Sequence, residues 1–246
     1  MNMPICLNHI HSKRARLSHG FTLIEMMAAV AIVAILLSIA IPSFSGSIRR
    51  NKVEGYVDKL NASIRLARAE AQGMSKPIAI CPTPGDSQGN TITCETSANS
   101  WASGWTVFVD DGGANPANAS NGTWQTGEEI IQHFASSDSA AYRFYLLGLN
   151  TDGSVAGEQF NMIFTPRGQA GNFDGTRFQL SSSFAVACHQ DDLNSAGPNV
   201  RGFSLERSGR VAMAQRQADG TISRKNIANN NANAAASSAA LTCTNS

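Results

Sequence analysis

Glu25 stands as the only charge inside an apolar run, Phe21 to Ile41, and the run holds no Lys or Arg to pair with it. At about 1.5 Å per residue the run spans about 31 Å, roughly the hydrocarbon thickness of a bilayer. An ionised group at mid-depth costs roughly 2.5 to 3.5 kcal/mol, less near an end, so a cationic partner is expected. Upstream stand Lys13, Arg14 and Arg16 with no acid, and this segment ends in Gly20. Such cationic flanks stay cytoplasmic. A secretory signal is cut after its apolar region, whereas here the small residue precedes it. A cut between Gly20 and Phe21 keeps the apolar helix and creates an amine four residues from Glu25.

Cysteine arithmetic agrees with that cut. The chain has five cysteines, and loss of residues 1–20 removes Cys6, leaving the even set Cys81, Cys94, Cys188 and Cys243. Their three pairings stay open on sequence alone. Cys81 with Cys94 closes a short polar loop, and Cys188 with Cys243 pins the tail; both need an oxidising compartment. No Cys-x-x-Cys pair occurs, and the spacing fits zinc poorly.

The same cut removes three cations and takes the formal charge from +1 to −2, which leaves no global field for nucleic acid. Residues 201–225 nevertheless gather Arg201, Arg207, Arg210, Arg216, Arg224 and Lys225 against Glu206 and Asp219. Such a cluster can hold phosphates; the preferred reading is solvated charge that protects an edge strand from aggregation. Asp110, Asp111, Glu128 and Glu129 bracket a Gly/Asn-rich loop, but without an Asp-x-Asp-x-Asp ladder they read as turn residues rather than calcium ligands. Cys188 and His189, as neighbours on a strand, face opposite ways and make a poor nucleophile and base. Neither a phosphate-binding Gly-x-x-x-x-Gly-Lys nor a His-Glu-x-x-His occurs. No catalysis, cofactor or metal is expected.

The elements that must position these residues follow from periodicity. Val53, Val57, Leu60, Ile64, Ala67, Ala71 and Met74 alternate spacings of four and three on one helical face, with Lys52, Asp58, Lys59, Arg65, Arg68 and Glu70 elsewhere. This is an amphipathic helix lying on a globular domain, with a short coiled coil as the alternative. Pro42 predicts a kink or local melting, and Gly73 with Pro77 predicts the helix end. Beyond Pro77, short β-rich runs recur at 78–81, 105–109, 130–134, 142–147, 162–165, 177–180, 184–188, 202–206 and 210–213. Residues 82–100 and 112–127 are too polar to be core, and 228–240 is a low-complexity Ala/Asn/Ser extension.

Gly20-Phe21-Thr22-Leu23-Ile24-Glu25, followed by an apolar helix and Pro42, resembles the prepilin leader of type IV pilins and type II secretion pseudopilins. Downstream, Ala79-Ile80-Cys81-Pro82, Gly104-Trp105-Thr106-Val107-Phe108-Val109-Asp110, Phe164-Thr165-Pro166-Arg167-Gly168 and Ser208-Gly209-Arg210-Val211 are similar to the globular domain of FimT/FimU/GspH-type minor pilins and pseudopilins. The resemblance implies an α+β, type IV pilin-like fold in which a long N-terminal helix, half transmembrane and half amphipathic, packs on a C-terminal antiparallel β domain. It implies a leader at 1–20, helix at 21–75, β domain at 76–227 and tail at 228–246. It also implies processing at Gly20 and Phe21 by a prepilin peptidase, N-methylation, and pairing of Glu25 with the N-terminal amine of a neighbouring subunit. The partners would be other major and minor pilins, and the location a single pass of the bacterial inner membrane with a periplasmic C-terminal domain, then the assembled pilus. The expected role is that of a minor pilin, with a type II secretion pseudopilin and a DNA-binding pilin for natural transformation as alternatives. DNA-binding relatives use Gly-Arg-x-Arg; the match here is Gly209-Arg210-Val211-Ala212, with Arg207 or Arg216 as candidate substitutes for the second arginine.

Overall fold

A computed structural model describes residues 21–84, 92–97, 99–149, 155–173, 176–189, 201–216 and 222–223, with only the backbone described at 39–45, 149, 155–156, 215–216 and 222–223. The chain divides into two units, one ending at Ser45 and one beginning at Gly46.

The first unit is the beginning of helix α1, Leu23–Met74. Its large apolar side chains face outward all round, from Phe21, 82% exposed, through Leu37. The local melting expected at Pro42 as the alternative to a kink is absent, since α1 continues through it. Proline removes one backbone hydrogen bond, and the flanking turns keep theirs. The helix ends at Met74, between Gly73 and Pro77 as expected, although Gly73 stays helical and Ser75, with φ +55°, takes the left-handed turn usually held by glycine.

The second unit is α+β. Its strands are β1 (Ile78–Pro82), β2 (Gly104–Val109), β3 (Ile130–Ala135), β4 (Tyr142–Leu149), β5 (Val155–Glu158), β6 (Met162–Phe164) and β7 (Ala170–Phe173). There follow β8 (Phe178–Leu180), β9 (Ser182–His189), β10 (Arg201–Leu205), β11 (Val211–Met213), β12 (Gln215–Arg216) and β13 (Ile222–Ser223). Six strands form one sheet in the order β3-β2-β1-β6-β7-β8, five form a second in the order β11-β10-β9-β4-β5, and β12 pairs with β13. The pairings are antiparallel.

One core joins the helix to both sheets. Val53, Val57, Leu60, Ile64, Ala67 and Ala71 are fully buried against Ile78, Ile80, Trp105 and Phe164 of the first sheet and Phe144, Leu146 and Phe203 of the second. Each of the Val, Leu, Ile and Phe side chains among them contributes roughly 1.5–3 kcal/mol on burial. The predicted face therefore holds except at Met74, which is 40% exposed because the helix ends there. Tyr56 joins this face unforeseen. Its ring packs edge-on to Trp105 and stacks on Tyr142, with centroids 5.4 and 5.3 Å away, and its hydroxyl donates toward the carbonyls of Ala102 and Trp101 at 2.8 and 3.0 Å.

Strand alternation gives the first sheet a second buried side. Ile78 and Ile80 face the main core, while Ala79 and Cys81 face a smaller cluster with Phe108, Ile163, Cys94, Trp124, Phe173 and Phe178. Polar segments on either side of β2 thus cover the sheet through single anchors, Cys94 and Trp124, and Ser100 to Ala102 forms a fully buried 3-10 turn.

Candidate functional site

Gly20 lies outside the described residues. Immediately after it, Thr22 and Glu25 form the reciprocal bonds of a capping box at the start of α1. The Thr22 N–H and hydroxyl both donate to Glu25 Oε2 at 3.0 Å, and the Glu25 N–H donates to Thr22 Oγ1 at 3.3 Å. Glu25 Oε1 has no hydrogen-bond partner among the described residues. The site therefore offers an acceptor oxygen close to Phe21, on a helix whose apolar side chains are unburied. Among the described residues no helix is long and apolar enough to cross a membrane. The apolar stretch with described side chains, Leu23 to Ser38, is shorter than the about 20 residues a crossing takes.

Cys81 and Cys94 are joined as a disulfide, with Cα atoms 5.5 Å apart, tying the end of β1 to the segment 92–97. The Trp124 N–H donates to Cys94 Sγ at 3.4 Å, so the same link anchors the loop after β2. Cys188 is also disulfide-bonded. Cys243, its expected partner, lies outside the described residues.

The four acids around the Gly/Asn-rich loop divide by burial. Asp110 is fully buried and accepts the N–H groups of Gly122 and Asn121 at 2.8 and 3.3 Å. Glu128, 5% exposed, accepts those of Gly112 and Gln125 at 2.9 and 2.8 Å. Burial pushes the Asp110 carboxyl up to about 6 and that of Glu128 up to about 7, against the opposing pull of these N–H donors. Asp111 instead takes Lys76 as partner at 2.8 Å, which holds its carboxyl below the usual range. Asp110 and Glu128 spend their oxygens on backbone, and among the described residues no group of three or more His, Cys, Asp or Glu is placed to hold a metal.

Arg207 and Arg210 are exposed on the turn between β10 and β11, and Arg216 lies on β12 with its side chain undescribed. Arg210 joins Arg65, Arg68 and Gln72 of α1 along a groove of about 340 Å³. Sequence reading placed Arg65 and Arg68 on the polar side of the helix without seeing that they meet Arg210. Arg207 does not line the groove. Gly209 fixes this meeting: its φ is +75°, an added Cβ would collide with the Gly168 carbonyl oxygen, and its own carbonyl accepts from Arg68 Nη1 at 3.2 Å.

Gly85-Asp86-Ser87-Gln88-Gly89 spells the Gly-x-Ser-x-Gly pattern of a nucleophile elbow and lies outside the described residues. That elbow runs from a strand through the serine directly into a helix. When the described chain resumes at residue 92 it is not helical.

An apolar N-terminal helix headed by a Thr-Glu cap, and an antiparallel β domain built on the helix's later turns, define a pilin-like α+β class of chain. Residues 15–41 match the prokaryotic N-terminal methylation motif, and residues 57–197 match the family described as type II transport protein GspH. The chain belongs to the GspH family. It is 41% identical over 69 residues to a fimbrial protein of Pseudomonas aeruginosa, an alignment covering 28% of this chain and 44% of that relative. The chain thus spans less than half the length of that relative. It is 33% identical over 103 residues to the type IV narrow pilus major component PilA5 of Thermus thermophilus, covering 38% of this chain and 88% of that one. Among solved structures, the type IV minor pilin FimU of Pseudomonas aeruginosa aligns with a TM-score of 0.40 at 14% identity, over 71% of this chain and 95% of that one.

Proposed function

We propose that the chain is a minor pilin, made as a prepilin, cut between Gly20 and Phe21 by a prepilin peptidase, methylated on Phe21 and built into a type IV pilus. Residues 1–20 are then the leader, 21–75 the helix, 76–227 the β domain and 228–246 the tail. Before assembly the helix spans the inner membrane once with the β domain in the periplasm; afterwards Glu25 meets the amine of a neighbouring pilin. The role is structural. What carries this reading is the coincidence of the methylation motif over residues 15–41 with the Thr22–Glu25 cap at the head of a helix exposed all round. Burying each of those apolar side chains, in lipid or against other copies, gains roughly 1.5–3 kcal/mol.

Intact mass of protein taken from membranes tests it. The expected species is residues 21–246 plus one methyl, and Gly20→Trp should leave the leader in place. Met1 retained on assembled protein would overturn the reading.

The family description favours, as a second reading, a pseudopilin of type II secretion. A deletion strain separates the two: loss of pili marks a pilin, and loss of protein secretion with normal pili marks a pseudopilin. The groove shared by Arg65, Arg68 and Arg210 is where any contact with DNA would fall, but DNA binding is not the favoured reading.

A further inference from the structure

On the β domain a second pocket, of about 470 Å³, lies between the end of β5, the turn at residues 159–161, β7 and the turn at 121–123. Its size is in the range of small-ligand sites, about 300–1,000 Å³. Its lining contains no Lys, Arg or His, and the one charged group is Glu158. Such a wall does not favour phosphates or other anions. Three asparagines converge there instead, and two have their carbonyl end already committed. Asn121 Oδ1 accepts from the Thr123 N–H at 2.8 Å, and Asn161 Oδ1 from the Phe173 N–H at 2.9 Å. Each amide is thereby oriented by the backbone and keeps its NH₂ donors unspent. Asn172 makes no side-chain hydrogen bond among the described residues. Glu158 uses Oε1 on the Asn99 N–H at 3.2 Å, which leaves Oε2 as an acceptor. Half-buried Phe160 and Phe173 complete the wall with apolar surface.

Fixed amide donors, one carboxylate acceptor, phenyl surface and no cation together match a neutral ligand that carries many hydroxyls on an apolar ring face. We propose that this pocket binds a neutral saccharide. Asn121, Asn161 and Asn172 donate to ring and hydroxyl oxygens, Glu158 accepts from a hydroxyl, and Phe160 packs against the C–H face, where the electron-rich ring face suits weakly positive hydrogens.

The test uses the processed full-length chain in zwitterionic micelles, so that no glycoside detergent competes. Maltose, cellobiose and N,N′-diacetylchitobiose are each followed by saturation-transfer NMR up to about 20 mM, a range that reaches the weak affinities of single sites. At least one disaccharide is expected to receive saturation. Asn172→Ala should weaken its binding about fivefold, the worth of one hydrogen bond. Thr123→Lys, at an exposed position whose side chain has no partner among the described residues, should abolish binding by projecting a cation into the pocket and tests the site even if Asn172→Ala fails to fold. Arg210→Ala, in the other groove, should leave the saturation received by the disaccharide unchanged. The proposal is overturned if no disaccharide receives saturation, if binding survives unchanged in Thr123→Lys, or if glucuronate or an acidic peptide binds in place of the neutral sugars.

Discussion

Thr22 and Glu25 bond each other in both directions at the start of α1, and the whole exchange leaves one oxygen of Glu25, Oε1, without a partner. Thr22 therefore fixes the carboxylate without consuming it. A neighbouring amine has an oriented acceptor, and an ion pair formed away from water is far stronger than one in solvent.

Glu25→Ala is accordingly expected to separate insertion from assembly. Removing a costly charge leaves the helix at least as stable in the membrane, while incorporation into filaments falls steeply. The measurement is the ratio of membrane-bound to sheared-filament protein by immunoblot. Normal incorporation of the Glu25→Ala chain would contradict the assignment of Glu25 to assembly.

Reduction should cost the β domain stability. A bridge closing a short loop, here with a sequence separation of 13, restricts the unfolded chain by about 3 kcal/mol in the chain-entropy picture. The paired replacement Cys81→Ala with Cys94→Ala should lower the thermal midpoint by roughly 6–12 °C at the usual scaling for a domain of this size. An unchanged midpoint would show that the covering segments hold without it. Non-reducing peptide mapping of periplasmic protein should also recover Cys188 linked to Cys243 and no free thiol; a Cys188 peptide joined elsewhere would displace that pairing.

The buried acids predict an unusual pH dependence. Asp110 and Glu128 have folded-state values near 6 and 7, above ordinary values of 3.8 and 4.5. Between those limits the folded chain holds protons that the unfolded chain has released. Their contribution to stability is therefore fully present only below those ordinary values and is lost as pH rises through 6 to 7. His133, pushed down by burial, acts in the opposite sense at acid pH. The quantity to measure is thus a difference: unfolding free energy of the parent chain minus that of Glu128→Gln, by denaturant titration from pH 5 to 8. It should fall with rising pH. A flat or rising difference would mean that Glu128 is not proton-linked to folding.

At the arginine groove, DNA binding is expected to be weak or undetectable at physiological salt, because Ala212 stands where DNA-binding relatives carry a second arginine. Arg68 is partly committed to the Gly209 carbonyl and Arg65 to Asn61 Oδ1, each at 3.2 Å, which leaves Arg210 as the freest cation of the groove. Any binding should be independent of base sequence and, for three phosphate contacts, drop roughly fortyfold between 50 and 200 mM salt. Gel shifts of the parent chain, Arg210→Ala and Ala212→Arg in one low-salt buffer decide the matter. Tight parental binding lost in Arg210→Ala would make DNA binding the leading function; binding gained only in Ala212→Arg would leave the scaffold without the activity.

Features set by neighbours along the chain were legible in the sequence. The helix face from Val53 to Ala71 repeats every three to four residues, and the nine β-rich runs each coincide with a strand. Repetition of that kind reflects which side of an element meets solvent, so it is written locally. Strands β5 and β7 escaped because Val155–Glu158 and Ala170–Phe173 are short and glycine-bearing and have little β propensity of their own; pairing with β4 and β6 holds them. Other features belong to distant parts of the chain brought together. Glu128 can be buried because the Gly112 N–H, from the far end of the loop, joins the local Gln125 N–H on it, and no pattern of residue types announces that convergence. Tyr56 becomes an aromatic hub because Trp105, Tyr142 and Phe144 arrive from two sheets. Arg65 and Arg68 meet Arg210 only once Gly209 lies against Gly168, a contact that requires the absence of a Cβ and the closure of both sheets on the helix. Local sequence decided which elements exist, which face of each is buried and the Thr22–Glu25 cap, whereas the arginine groove was decided by long-range packing, in which Arg68 depends on Gly209 more than a hundred positions away.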